Sequence, residues 1–161
     1  MKVSKSILIW LCVIVLLSCN RSNLTNSTDE TINESLVKHE VQQLIDNMVK
    51  LTYEKDIDEL MKLYENSADF KLISAPDEVL SYTQLYELYR TLFDQLEKQK
   101  IIESTTTVYP LSNNKALCVW AGQEEMKMEG MEAFQSSWIS TILLEKQDGN
   151  WLIIHMHNSH K

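Results

Sequence analysis

From Val41 onward apolar residues recur at Val41, Leu44, Ile45, Met48 and Val49, the three-and-four spacing of a helix that buries one side. Asp56 and Glu59 then stand at capping-box spacing, and Ile57, Leu60, Met61 and Tyr64 supply the buried face of a short second helix. Residues 68–74 alternate as a strand does, Pro76-Asp77 breaks the pattern, and residues 78–80 form a short partner. Ser81 and Gln84 repeat the capping spacing ahead of the most regular stripe in the chain: Leu85, Leu88, Tyr89, Leu92, Phe93 and Leu96. After Lys100 the texture turns to β. Residues 101–109, 115–128, 133–146 and 150–158 are rich in Thr, Val, Ile and Trp and predict four strands. Asn113-Asn114, Glu129-Gly130 and Asp148-Gly149 fall between them and supply the positive φ angles of tight hairpins. Helices first and an antiparallel meander afterwards predict an α+β domain.

The pattern ahead of Val37 is different. Lys2 and Lys5 precede an unbroken apolar run over residues 7–17, and Ser18 and Cys19 follow, the layout of an export signal. Eleven apolar residues rise about 16 Å as a helix, short of a bilayer core of roughly 30 Å. A cleaved signal over residues 1–18 is therefore expected rather than a permanent span. Leu16-Leu17-Ser18-Cys19 resembles the lipobox of bacterial lipoproteins. That resemblance implies a diacylated Cys19 and a protein held at a bacterial cell-envelope membrane, on its periplasmic or outer-membrane face. Two or three acyl chains give stable anchoring where one binds marginally. Residues 20–35 are rich in Asn, Ser and Thr without a hydrophobic period, so residues 19–36 read as the lipidated cysteine and a flexible tether.

Charge narrows the partners. The chain carries 15 Lys and Arg against 23 Asp and Glu, a net charge of −8, and losing Lys2 and Lys5 with the signal makes it more negative. Such a surface repels phosphates, which excludes a nucleic-acid role. Cys12 leaves with the signal and Cys19 takes the lipid, so Cys118 has no disulfide partner and is expected as a small buried hydrophobe.

Lys55-Asp56-Ile57-Asp58 and the closing Gly149-x-Trp151-x-x-x-His155-x-His157-x-Ser159 carry a further likeness. Together with the order of elements, they resemble the nuclear-transport-factor-2-like (NTF2-like) superfamily and its SnoaL-like branch, over residues 37–159. The resemblance implies a SnoaL-like domain over residues 37–161: three helices packed on a strongly bent antiparallel sheet that forms a cone with an apolar pocket at its open end. It also implies homodimers through the open sheet face. The same fold serves isomerases, cyclases, dehydratases, binding modules and dimerisation domains, so it does not settle function.

An isomerase of this fold uses a carboxylate base with a tyrosine and an un-ionised carboxylic acid as oxyanion donors. Carried over residue by residue, these positions fall at Leu72, Met48 and Thr141. None of the three is a proton acceptor at neutral pH, which argues against that chemistry. An enzyme would instead have Asp69 as base and Tyr64 as donor. Met126, Met128 and Met131 with His155 and His157 form an alternative copper or zinc set, soft sulfur suiting monovalent copper. Trp120, Trp138 and Trp151 on three successive strands, with Tyr64, His155 and His157, are the candidate pocket residues. On the last strand either the histidines or their alternating neighbours face inward. The expected function is a small apolar ligand site or a dimeric interaction module, with no cofactor. Mature protein should begin at Cys19 and carry a fatty-acyl mass there, and Cys19→Ser should abolish both the acyl mass and membrane fractionation.

Overall fold

The computed structural model describes residues 31–75 and 78–160. The signal, Cys19 and the tether up to residue 30 lie outside the described residues. Helix α1 (Glu34–Glu54) buries Val37, Val41, Leu44, Ile45, Met48 and Leu51, which takes in the predicted stripe except Val49, half-buried, and extends it by a turn at the start and by Leu51 at the end. It begins inside the stretch expected as tether. The Asn33 side chain accepts from the Leu36 amide at 3.2 Å, and the Asn33 amide donates to Asn113 Oδ1 at 2.8 Å. That second contact joins residues 80 apart in sequence, so no local pattern announces it. The helix closes on Lys55, whose left-handed backbone (φ 55°) returns its amide to the Leu51 and Thr52 carbonyls.

Helix α2 (Ile57–Met61) is capped by Asp56, whose carboxylate accepts from the Glu59 amide at 3.1 Å. Tyr64 lies beyond its end and bridges to Ile153. Helix α3 (Tyr82–Gln95) starts on a full capping box of Ser81 and Gln84 and buries Leu85 and Phe93, while Leu88 is exposed. Leu96, expected as the end of its stripe, instead opens a strand.

Six strands form one curved sheet in the order β2-β1-β6-β5-β4-β3. They are β1 (Lys71–Ala75), β2 (Glu78–Leu80), β3 (Leu96–Ser112), β4 (Lys115–Met128), β5 (Phe134–Gln147) and β6 (Asn150–His160). Strand β3 begins five residues before the point that the apolar texture predicts. Its first residues are held by cross-strand charge pairs, Lys98 with Glu125 at 3.2 Å and Glu97 with Lys127, which leave no hydrophobic signature. The sheet is antiparallel except where β1 runs parallel to β6, pairing Leu72 with Met156. Asp148 and Gly149, at φ 51° and 85°, make the tight β5–β6 turn.

The inner face of the sheet packs on α1. Cys118, Ile142 and Met156 stand side by side on β4, β5 and β6, and all three are buried. The next inward row is Trp120, Ser140 and Asn158, followed by Gly122, Trp138 and His160. A register shift separates Leu143, opposite His155, from Leu144, opposite Ile153. Ile154 is thus an extra residue in β6, a bulge that inverts the alternation. Ile153 faces inward before it and Met156 after it.

Gly122 is required by contact. A β-carbon there would lie 2.5 Å from the Glu103 carbonyl oxygen and 2.6 Å from the Trp138 ring. Gly122→Ala should therefore destabilise the domain by about 1–3 kcal/mol, measured by denaturant unfolding, with a shifted Trp emission because Trp138 has to move.

Candidate small-molecule site

A cavity of about 130 Å³ opens between α1, α3 and the inner face of β3 to β6. Met48, Val49, Thr52 and Tyr53 come from α1, and Tyr89 and Leu92 from α3. These positions recur at helical spacing, so a single turn of each helix forms one wall. The sheet supplies the opposite wall through alternate residues: Gln99 and Ile101, Trp120 and Glu124, Trp138 and Ser140, then Met156, Asn158 and His160. The Trp120 and Trp138 rings meet edge to face with centroids 5.0 Å apart, a favourable aromatic geometry. The volume approaches that of an engineered apolar cavity that takes up benzene, so one ring or a short chain fits.

Its polar groups are few and unusual. Glu124 is 8% exposed, and its Oε2 accepts from Gln99 Nε2 at 2.6 Å. A carboxylate only accepts, so this bond orients the Gln99 amide and turns its oxygen away from Glu124. Gln99 Oε1, Trp138 Nε1 and Asn158 Oδ1 are buried without a hydrogen-bond partner. All three belong to residues that line the cavity. An unpaired buried polar group costs roughly 1–3 kcal/mol, and here three of them border one hollow.

Of the residues singled out in the sequence, Trp120 and Trp138 line this cavity. Tyr64 lies just beneath, its hydroxyl 2.9 Å from that of Tyr89 and 3.6 Å from Met48 Sδ. Trp151 serves elsewhere: its Nε1–H donates to Glu40 at 2.7 Å, and Lys146 donates to the same carboxylate at 2.8 Å. Both bonds hold the Glu40 carboxyl below the usual range, the Lys146 bond most, and they tie α1 to β5 and β6. His155 and His157 stand on the outer side of β6, because the bulge at Ile154 gives the inward places to Met156 and Asn158. Expected as pocket residues, they are displaced from it by that one extra residue.

Asp69 is exposed on the segment before β1 and does not line the cavity. Leu72 is buried beside Met156, and Met48 lines the cavity. Thr141 pairs with Val119 and His157 on the outer side, and the inward place belongs to Ser140. The proposed metal set does not converge. His157 aligns through Thr141 with Val119, and Met126 lies seven residues further along β4, roughly 23 Å of strand. Among the described residues no group of three His, Cys, Asp or Glu side chains is placed to hold a metal ion.

Sequence reasoning missed Glu124, Gln99, Ser140, Tyr89, Asn158 and His160. Counting by twos from Trp120 reaches Glu124, so an inward Trp would have exposed an acidic residue at an inward position. For Gln99 no such signal exists, since residues 96–100 read as the end of a helix.

Burial pushes the Tyr64 phenol well above its usual range, and the adjacent Tyr89 adds to the effect. Tyr89 is also raised, by burial, against an opposing contribution from its bond to Tyr64. Burial raises the Cys118 thiol to about 11. In each case the folded state keeps a proton that the unfolded chain releases earlier, so stability is full below the unfolded pKa and is lost as pH rises above it. Unfolding free energy should accordingly fall between about pH 9 and 11. In the double variant Tyr64→Phe with Tyr89→Phe the fall should shrink, leaving the share due to Cys118 and to Tyr82, whose phenol burial also raises, as read by urea titrations across that range.

The sequence matches the family model for the SnoaL-like domain over residues 41–160. No curated protein matches the chain. Among solved structures, a candidate scytalone dehydratase from Novosphingobium aromaticivorans superposes with a TM-score of 0.71 at 9% identity, covering 80% of this chain and 86% of that one. A hexachlorocyclohexane dehydrochlorinase from Novosphingobium barchaimii gives 0.66 at 11% identity, with 80% and 88% covered. An NTF2-like superfamily protein from Salmonella enterica gives 0.67 at 19% identity, with 78% and 92% covered. At these identities the structures speak for the fold, and the match of the family model over most of the chain assigns the family: this protein belongs to the SnoaL-like family.

Proposed function

We propose that this protein is anchored by lipid to a bacterial envelope membrane and that its SnoaL-like domain holds a small, largely apolar ligand. The observation that carries the ligand reading is the cavity itself, walled by Trp120, Trp138, Met48 and Tyr89 and bordered by three buried polar atoms without partners. Apolar walls supply affinity and a few fixed polar groups supply orientation, the usual division in small-molecule sites. The anchoring rests on the short apolar run ending at Ser18 and Cys19. No helix among the described residues is long and apolar enough to cross a membrane. Ile139 and Tyr109 stand exposed on the sheet, a face that suits pairing with a second copy.

An enzymatic reading through Asp69 and Tyr64 has less support. Asp69 is exposed to solvent, and the Tyr64 phenol is engaged by Tyr89 and Met48 beneath the cavity. Saturable binding of toluene, followed by Trp emission, is the expected result for the wild-type protein. Asp69→Asn should leave that binding intact, whereas Ser140→Leu, which fills the cavity from a buried wall position, should abolish it. A wild-type emission that toluene does not move saturably would overturn the ligand reading.

A further inference from the structure

We propose that the cavity selects a small organic cation: an ammonium group attached to one ring or a short alkyl chain. This rests on the ligand reading above and names the charge of what is bound. The first support is Glu124. Its carboxylate is 8% exposed, lines the cavity and is bonded by a neutral amide, Gln99 Nε2. Among the described residues no Lys or Arg lines the cavity, and apart from tyrosines its other titratable group is His160, exposed at the rim. A buried carboxylate without a counter-charge is costly, and a cation brought in by a ligand offsets that cost.

The second support is the balance of donors and acceptors. With Gln99 oriented by Glu124, its Oε1 is an acceptor without a donor, and Asn158 Oδ1 is another. Including the remaining acceptor capacity of Glu124, the wall is rich in acceptors. An ammonium has three donors and no acceptor, the complementary set. Against these acceptors the orphaned atoms include one donor, Trp138 Nε1–H. The third support is aromatic: the rings of Trp120, Trp138, Tyr53 and Tyr89 border the same space, and ring faces attract cations most strongly where water is excluded. The net charge of −8 draws cations toward the mouth.

Three probes of nearly equal size separate the possibilities: benzylammonium, benzyl alcohol and benzoate, titrated calorimetrically into the mature protein in detergent at pH 8. Benzylammonium should bind at least tenfold more tightly than benzyl alcohol, and benzoate more weakly than both. In Glu124→Gln the preference for the cation over the alcohol should fall below threefold, with circular dichroism reporting the fold. Equal affinities for cation and alcohol in the wild type, or tighter binding of benzoate, would overturn the cation proposal and leave the ligand reading standing. If none of the three binds at millimolar concentration, both fail. The wild-type comparison decides the matter even if Glu124→Gln does not fold.

Discussion

A strand shows each residue to one face only, and the pleat of this sheet, with one interruption, decides what lines the cavity. The interruption is the extra residue Ile154 in β6. Before it, Trp151 and Ile153 point inward, Ile153 beneath the Tyr64 bridge and Trp151 into the Glu40 and Lys146 cluster. After it, the inward places pass to Met156, Asn158 and His160. An unbulged strand would carry His155 and His157 on the face where Asn158 now presents an unpartnered oxygen. One inserted backbone residue thus puts Met156 and Asn158 where His155 and His157 would otherwise stand.

The two ends of the domain differ in how their polar groups are satisfied. At one end, Trp151, Lys146 and Glu40 form a saturated cluster in which each polar atom named has a partner, and it fastens α1 to the sheet. At the other, Gln99, Trp138 and Asn158 each hold a buried atom without one. Unpaired polar atoms are a cost to folding, and here three of them border a single hollow. Between the two ends lies the Tyr64, Tyr89 and Met48 contact, which closes the floor of the cavity and links it to the core. Gly122 belongs to the same scheme, since the Trp138 ring occupies the space that a side chain would need.

The order of the elements and the class of the fold are local matters and were legible. Helical spacing at Val41 to Val49, the N-cap at Asp56, the capping box at Ser81, and the Asp148-Gly149 turn depend on neighbours within a few residues, and each stands where the pattern predicts. The return bond from Glu59 that would complete a box at Asp56 is replaced by the Asp56 amide donating to the Leu51 carbonyl. The exceptions fail for one reason. Helix α1 starts early because Asn33 reaches Asn113, and β3 starts early because its charges pair with those of β4.

The sequence by itself therefore determined that helices precede a meander, where turns fall, that Cys118 would be buried, and that the closing Gly149 to Ser159 segment has the SnoaL-like form. The tertiary structure alone decided which face of β6 meets the cavity, that β1 runs parallel to it, and that Gln99 meets Glu124. The physical reason is range. Periodicity and turn chemistry are written in adjacent residues, whereas a bulge and a cross-strand hydrogen bond are set by a partner strand whose register no local pattern contains.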